Sequence, residues 1–125
     1  MDENTISRII IGKSIDIHKT LGPGLLESAY SECLRFELQK SGLCIEKKKP
    51  LPVIYKSLKL NHGYRIDLLV NNKVVIEIKS VDAFIDVHIA QVLTYLKLGN
   101  YKLGLLINFK TILLKNGIRR FVNGF

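Results

Sequence analysis

The chain has 125 residues, 47% of them hydrophobic, and 19 basic against 11 acidic side chains give it a formal net charge of +8. That length and apolar content suit one globular domain over residues 1–125 with a real core, and leave no room for a second. No apolar run reaches the roughly 18 residues of a membrane span, and the opening Met-Asp-Glu-Asn lacks the basic and apolar regions of a signal peptide, so a cytoplasmic setting is expected. Cys33 and Cys44 have no metal-ligand spacing and read as reduced thiols.

Asn4 or Thr5 is positioned to cap a first helix running to about Lys19, with Ile6, Ile9, Ile10 and Ile17 on its apolar side. Leu21-Gly-Pro-Gly24 breaks it. A second helix is expected from about Leu25 to Lys40, with Leu26, Tyr30, Cys33, Leu34 and Leu38 at helical spacing. Gly24 and Tyr30 lie three residues either side of Glu27, which permits two roles for that carboxylate. It reaches inward, or, with Gly24 as N-cap, it sits at the third helical position and serves the helix end.

From Leu43 to Tyr55 the pattern reads as a strand, and its Lys47-Lys48-Lys49, Pro50 and Pro52 mark an edge with solvated lysines. Lys56 to Gly63 follows as a turn or short strand. Tyr64 to Ser80 then carries two Val/Ile/Leu-rich runs around Asn71-Asn72, the pattern of a β-hairpin with both arms central in a sheet. A third helix is expected from about Ile85 to Leu98, with a polar stripe of His88, Gln91 and Tyr95 beside its core face. Leu103 to Phe109 reads as a buried strand, and Ile118 to Val122 as a short edge strand.

Asp67, Glu77 and Lys79 interrupt the hairpin. Unpaired buried charge is costly, whereas two carboxylates and an ammonium gathered at one point can hold a divalent cation; a satisfied buried ion pair is the structural alternative. Glu77 and Lys79 are two apart, so a strand directs both to one face and turns Ile78 into the core. No acidic residue follows Asp86, while Lys97, Lys102, Lys110, Lys115, Arg119 and Arg120 do. That asymmetry suits a polyanionic partner, nucleic acid first, against the alternative of a basic solubilising surface.

Gly24-Leu-Leu-Glu27-Ser-Ala-Tyr30, then Asp67, Glu77-Ile-Lys79 and Gln91-Val-Leu-Thr-Tyr95, resembles the GxxExxY family, a branch of the PD-(D/E)XK nuclease-like superfamily. Ile66 stands where that motif's proline would be. The resemblance extends over Ile17-His18-Lys19, Leu51-Pro-Val, Val87-His88 and Gly104 to Phe109. It implies an α/β (α+β) fold with a restriction-endonuclease-like core, a central mixed β-sheet flanked by helices in the order α-α-β-β-β-α-β with a possible final strand.

The same resemblance implies a Mg2+-dependent (or Mn2+-dependent) nuclease acting on nucleic acid, DNA before RNA. Asp67, Glu77 and Glu27 would bind the cation with the Ile78 carbonyl. Lys79 would orient or deprotonate the attacking water, and Gln91 and Tyr95 would hold phosphate or water. His18 and His88 are lesser candidates. Two other classes compete: a nucleic-acid-binding module without turnover, and an interaction protein such as a homodimer.

Register decides among them. With a two-residue Asn71-Asn72 turn, Asp67 would face Ile76 and point away from Glu77. A shared metal therefore requires a three-residue Asn71–Lys73 loop with a left-handed residue, or a β-bulge near Asp67.

Overall fold

The computed structural model describes residues 1–124. Its elements are α1 (Glu3–Leu21), α2 (Glu27–Lys40), β1 (Ile45–Pro50), β2 (Val53–Tyr55), β3 (Leu58–Leu60), β4 (Arg65–Val70), β5 (Val74–Lys79), α3 (Asp86–Gly99), β6 (Leu103–Asn108) and β7 (Ile118–Val122). A 3-10 turn, Leu114–Gly117, precedes β7.

Five strands form a mixed sheet in the order β1-β4-β5-β6-β7. β5 and β6 run parallel and the other neighbours antiparallel, so α3 is the crossover that a parallel pair needs. One face packs on α1 and α2, burying Ile6, Ile10, Tyr30 and Leu34 against Leu68, Ile76, Ile78 and Leu105. The other packs on α3, burying Val92, Tyr95 and Leu96 against Leu69, Val75 and Leu106. Apolar residues on both sides of β4, β5 and β6 are the continuous runs seen in the sequence. The α+β fold with a restriction-endonuclease-like sheet is therefore as expected.

Two local expectations are corrected. Asp2, not Asn4 or Thr5, caps α1, its carboxylate accepting the Thr5 N–H at 2.8 Å. The strand expected over Leu43 to Tyr55 divides at Leu51-Pro52, because only β1 pairs with the sheet. β2 pairs instead with β3 as a separate hairpin, Val53 opposite Leu60. β1 is an edge, as its lysines and prolines indicated.

The central turn has the register that a shared site requires. Val70 pairs with Val74, which leaves Asn71–Lys73 as a three-residue loop closed by the Lys73 N–H to Val70 carbonyl bond at 2.9 Å. Asn71 and Asn72 are both left-handed, with φ of 51° and 55°, a region asparagine enters at low cost. The Asn71 side chain also accepts the Cys44 N–H at 2.8 Å, tying the turn to the start of β1.

Candidate active site

The β4–β5 ladder runs from Val70–Val74 to Leu68–Ile76 and goes no further. Past it the alternation of β4 breaks, since Ile66 and Leu69, three residues apart, both pack on the α3 face, and strand-end bonds rather than the ladder bring Asp67 beside Glu77. Here side chains replace the ladder. The Asp67 carboxylate accepts the Ile78 N–H at 2.9 Å through Oδ2, and the Glu77 carboxylate accepts the Asp67 N–H at 2.8 Å through Oε2. Each acid thus satisfies a backbone donor of the opposite strand and is locked in place by it.

Glu77 is only 2% exposed. Burial, with the charge of Asp67 added to it, pushes the Glu77 carboxyl up to about 8. Asp67 is raised as well, by burial first, while the Ile78 N–H and the ammonium groups of Lys48 and Lys79 oppose the rise. Lys79 ends β5 on the same face as Glu77, and Ile78 turns into the α1–α2 core, as the alternation requires.

Lys48 is an exposed lysine of the edge strand, as read, and the structure adds a second feature. Lys47 pairs with Glu32, and Lys49 with Glu46 at 2.9 Å. Lys48 takes φ of 54° and drops out of the pairing between Lys47–Leu68 and Lys49–Ile66, at the position facing Asp67. Its ammonium acts on both carboxylates. The signal in the sequence was only its place in a lysine run.

Glu27 is the first residue of α2, after Leu26 as N-cap, so the capping role at the third position is not the one it plays. Its exposed carboxylate accepts the Ser80 N–H at 3.0 Å, just past Lys79, and its charge reaches Asp67. Ser80 also donates to the Leu25 carbonyl at 3.0 Å. The hydroxyl of Tyr30 secures this corner by donating to the Gly22 carbonyl and accepting the Leu25 N–H at 3.0 Å. Its ring stacks on Phe109, centroids 4.2 Å apart. Gly22 adopts φ of 74°, where a side chain would be strained. Tyr30→Phe should keep the stack and lose both bonds, costing about 1–3 kcal/mol in denaturant unfolding. A change below about 0.5 kcal/mol would show that the corner does not depend on the hydroxyl.

Gln91 and Tyr95 extend the site along α3. The Gln91 amide donates to the Tyr95 hydroxyl at 3.1 Å, and burial, then the negative charge of Glu77 and Asp67, raises the Tyr95 phenol. Two histidines bond the backbone: the ring of His18 bonds the Thr111 carbonyl at 2.7 Å, and His88 Nδ1 accepts the Ile85 N–H at 3.2 Å.

Asn108 was not foreseen. Its buried amide donates to the Val81 carbonyl at 2.8 Å and accepts the Val81 and Lys110 N–H groups at 3.1 Å, which fixes the chain leaving Lys79. A Cβ on Gly117 would stand 2.3 Å from the Asn108 carbonyl, so glycine is required there.

The basic residues of the last third do not converge. Lys110 pairs with Asp82 at 2.8 Å. Arg119 lies over the Phe84 ring at 5.9 Å on the α3 side, whereas Arg120 bonds Asn4 of α1 on the other. Lys97, Lys102 and Lys115 are exposed on α3, before β6 and in the 3-10 turn.

The donor set suits a hard divalent cation, since it is all oxygen and each of Asp67 and Glu77 commits one oxygen to the backbone. Among the described residues no buried side-chain oxygen or nitrogen lacks a partner, so the second oxygens, which take no bond, reach the surface. Also among them, no three His, Cys, Asp or Glu side chains are grouped to hold an ion, so Glu27 stands apart from the Asp67–Glu77 pair. Among the described residues no helix is long and apolar enough to cross a membrane.

Comparison with curated proteins and with solved structures gives no match. The family model of the PD-(D/E)XK nuclease superfamily matches residues 4–121, taking in both carboxylates, Lys79 and the helices that frame them. With nearly the whole chain matched, and an acid pair and lysine gathered at the open end of a central hairpin, the chain belongs to the PD-(D/E)XK nuclease superfamily.

Proposed function

We propose that this chain is a divalent-metal-dependent nuclease of the GxxExxY branch that hydrolyses phosphodiester bonds, with DNA as the favoured substrate. The observation that carries the reading is the pair of strand-end bonds, Asp67 N–H to the Glu77 carboxylate and Ile78 N–H to the Asp67 carboxylate, which gathers both acids beside Lys79.

Nucleases of this superfamily generally use divalent metals. Asp67 and Glu77, with the Ile78 carbonyl, would hold magnesium or manganese, and Glu27 would support the ion from outside that set through its charge and its bond to Ser80. A bound ion would supply the charge that polarises the scissile phosphate and acidifies the attacking water. Lys79 orients that water, takes up its proton or passes it to solvent, and offsets charge growing on the phosphoryl oxygens as the new O–P bond forms and the old one breaks. Lys48 contributes the same compensation from the edge strand. Gln91 and Tyr95 position phosphate or water from the α3 side. Lys97, Lys102, Lys115 and Arg119 offer phosphate contacts outside this centre, with Lys110 and Arg120 contributing less because each already has a partner.

The separation of Glu27 from the acid pair favours a second reading, a nucleic-acid-binding module without turnover. Titration with magnesium or manganese, beside linear, circular, branched and single-stranded substrates, separates the two. The nuclease should be stabilised by the ion through linkage and should cleave at least one substrate. Glu27→Gln should keep the bond to Ser80 and nearly all stability while losing about 10- to 100-fold in metal affinity. Unchanged affinity would return Glu27 to a purely structural role, and binding without cleavage would favour the module.

A further inference from the structure

A groove of about 500 Å3 lies between α3 and the segments before β4, lined by Val53, Tyr64, Val87, Gln91, Tyr95 and Leu98. That volume is within the range of small-molecule sites, about 300–1,000 Å3. Its walls are apolar and aromatic. Tyr64 is 47% and Val87 66% exposed, so two large apolar groups meet solvent across the opening. The Tyr64 carbonyl accepts the Leu51 N–H at 2.9 Å, which holds this residue against the chain leaving β1.

The groove is continuous with the candidate active site. Gln91 and Tyr95 belong to both, and the Tyr95 phenol feels Glu77, Asp67 and Tyr64. The groove wall itself carries no charge; the cations stand at the adjoining centre, where the ammonium groups of Lys48 and Lys79 act on the acid pair. An aromatic platform, an amide, and positive charge at the adjoining phosphate-directed centre match one nucleotide: base on the ring, phosphate toward the cations.

A paired base offers only its edge in a groove of the duplex, because its faces are covered by stacked neighbours. A ring lining a recess is reached only by a base that has left the stack. We propose that the Tyr64 groove is a stacking site for an unpaired nucleobase next to the scissile phosphate, so that the substrate is single-stranded nucleic acid or an unpaired segment of a duplex. The assignment of the phosphate as scissile rests on the nuclease reading above.

The test measures binding with calcium in place of magnesium, on three labelled probes of equal length: oligothymidylate, the same backbone without bases, and a duplex. Wild type should bind oligothymidylate most tightly. Tyr64→Ala should weaken that probe by about 5- to 150-fold and leave the base-free strand unchanged, with Tyr64→Phe close to wild type. Val87→Arg, on an exposed wall, should block the base without touching the core. Equal affinity for base-bearing and base-free strands, preference for the duplex, binding of no probe, or a uniform loss in Tyr64→Ala would each overturn the proposal. Base-selective binding without cleavage in magnesium leaves this inference standing and removes the nuclease reading. Cleavage with base-indifferent binding does the reverse.

Discussion

Lys79→Ala and Asp67→Asn should each lower magnesium-dependent cleavage by about 100- to 10,000-fold while the protein stays folded. Asparagine can still accept the Ile78 N–H through its carbonyl oxygen, so the strand-end bond at 2.9 Å survives the loss of charge. The melting temperature of Asp67→Asn should hold or rise, since the substitution relieves the repulsion that raises Glu77. Lys79 lies at the end of β5 and is partly exposed, so removing its ammonium leaves the core intact. Full activity in either variant would assign the cleavage to a contaminant and sink the catalytic roles.

The second large effect is on stability against pH. The Glu77 carboxyl, pushed from an ordinary 4.5 up to about 8 by burial and by Asp67, stays protonated in the folded chain where the unfolded chain has released its proton. A raised folded-state value contributes stability that is fully present below about 4.5 and is lost as pH rises through about 8. Metal-free protein should therefore melt at progressively lower temperature across that window, with the loss bounded at about 5 kcal/mol. Glu77→Gln, neutral throughout and still able to accept the Asp67 N–H, should flatten the profile and be the more stable protein at the alkaline end. Cation and proton compete for the same carboxylate, so magnesium affinity should climb over the same range. A flat melting profile for wild type would show that the pair is better solvated than its burial indicates.

The acid pair was legible because alternation within a strand is a local rule. Two-residue spacing placed Glu77 and Lys79 on one face and Ile78 in the core, and the structure agrees. The turn was legible only as a choice between two registers. Asn71 and Asn72 are suited to either, and the choice fell to the side that buries Leu68, Val70, Val74 and Ile76 together against α1 and α2. Here the core's apolar contacts selected the register, and the strand-end bonds bring Asp67 beside Glu77.

By itself the sequence determined what repeats within an element: the helix faces, the buried runs of β4, β5 and β6, the edge character of β1, and the acids and lysine at the hairpin. Tertiary structure alone decided what meets across elements. Glu27 reaches Ser80, Lys48 faces Asp67, Asn108 holds Val81, and Tyr64 faces α3 across a groove. It also parted Arg119 from Arg120, neighbours in a basic run that leave an edge strand on opposite faces. Periodicity fixes direction relative to a residue's own backbone, whereas the partner in that direction depends on how segments tens of residues apart are packed, and no local pattern encodes that.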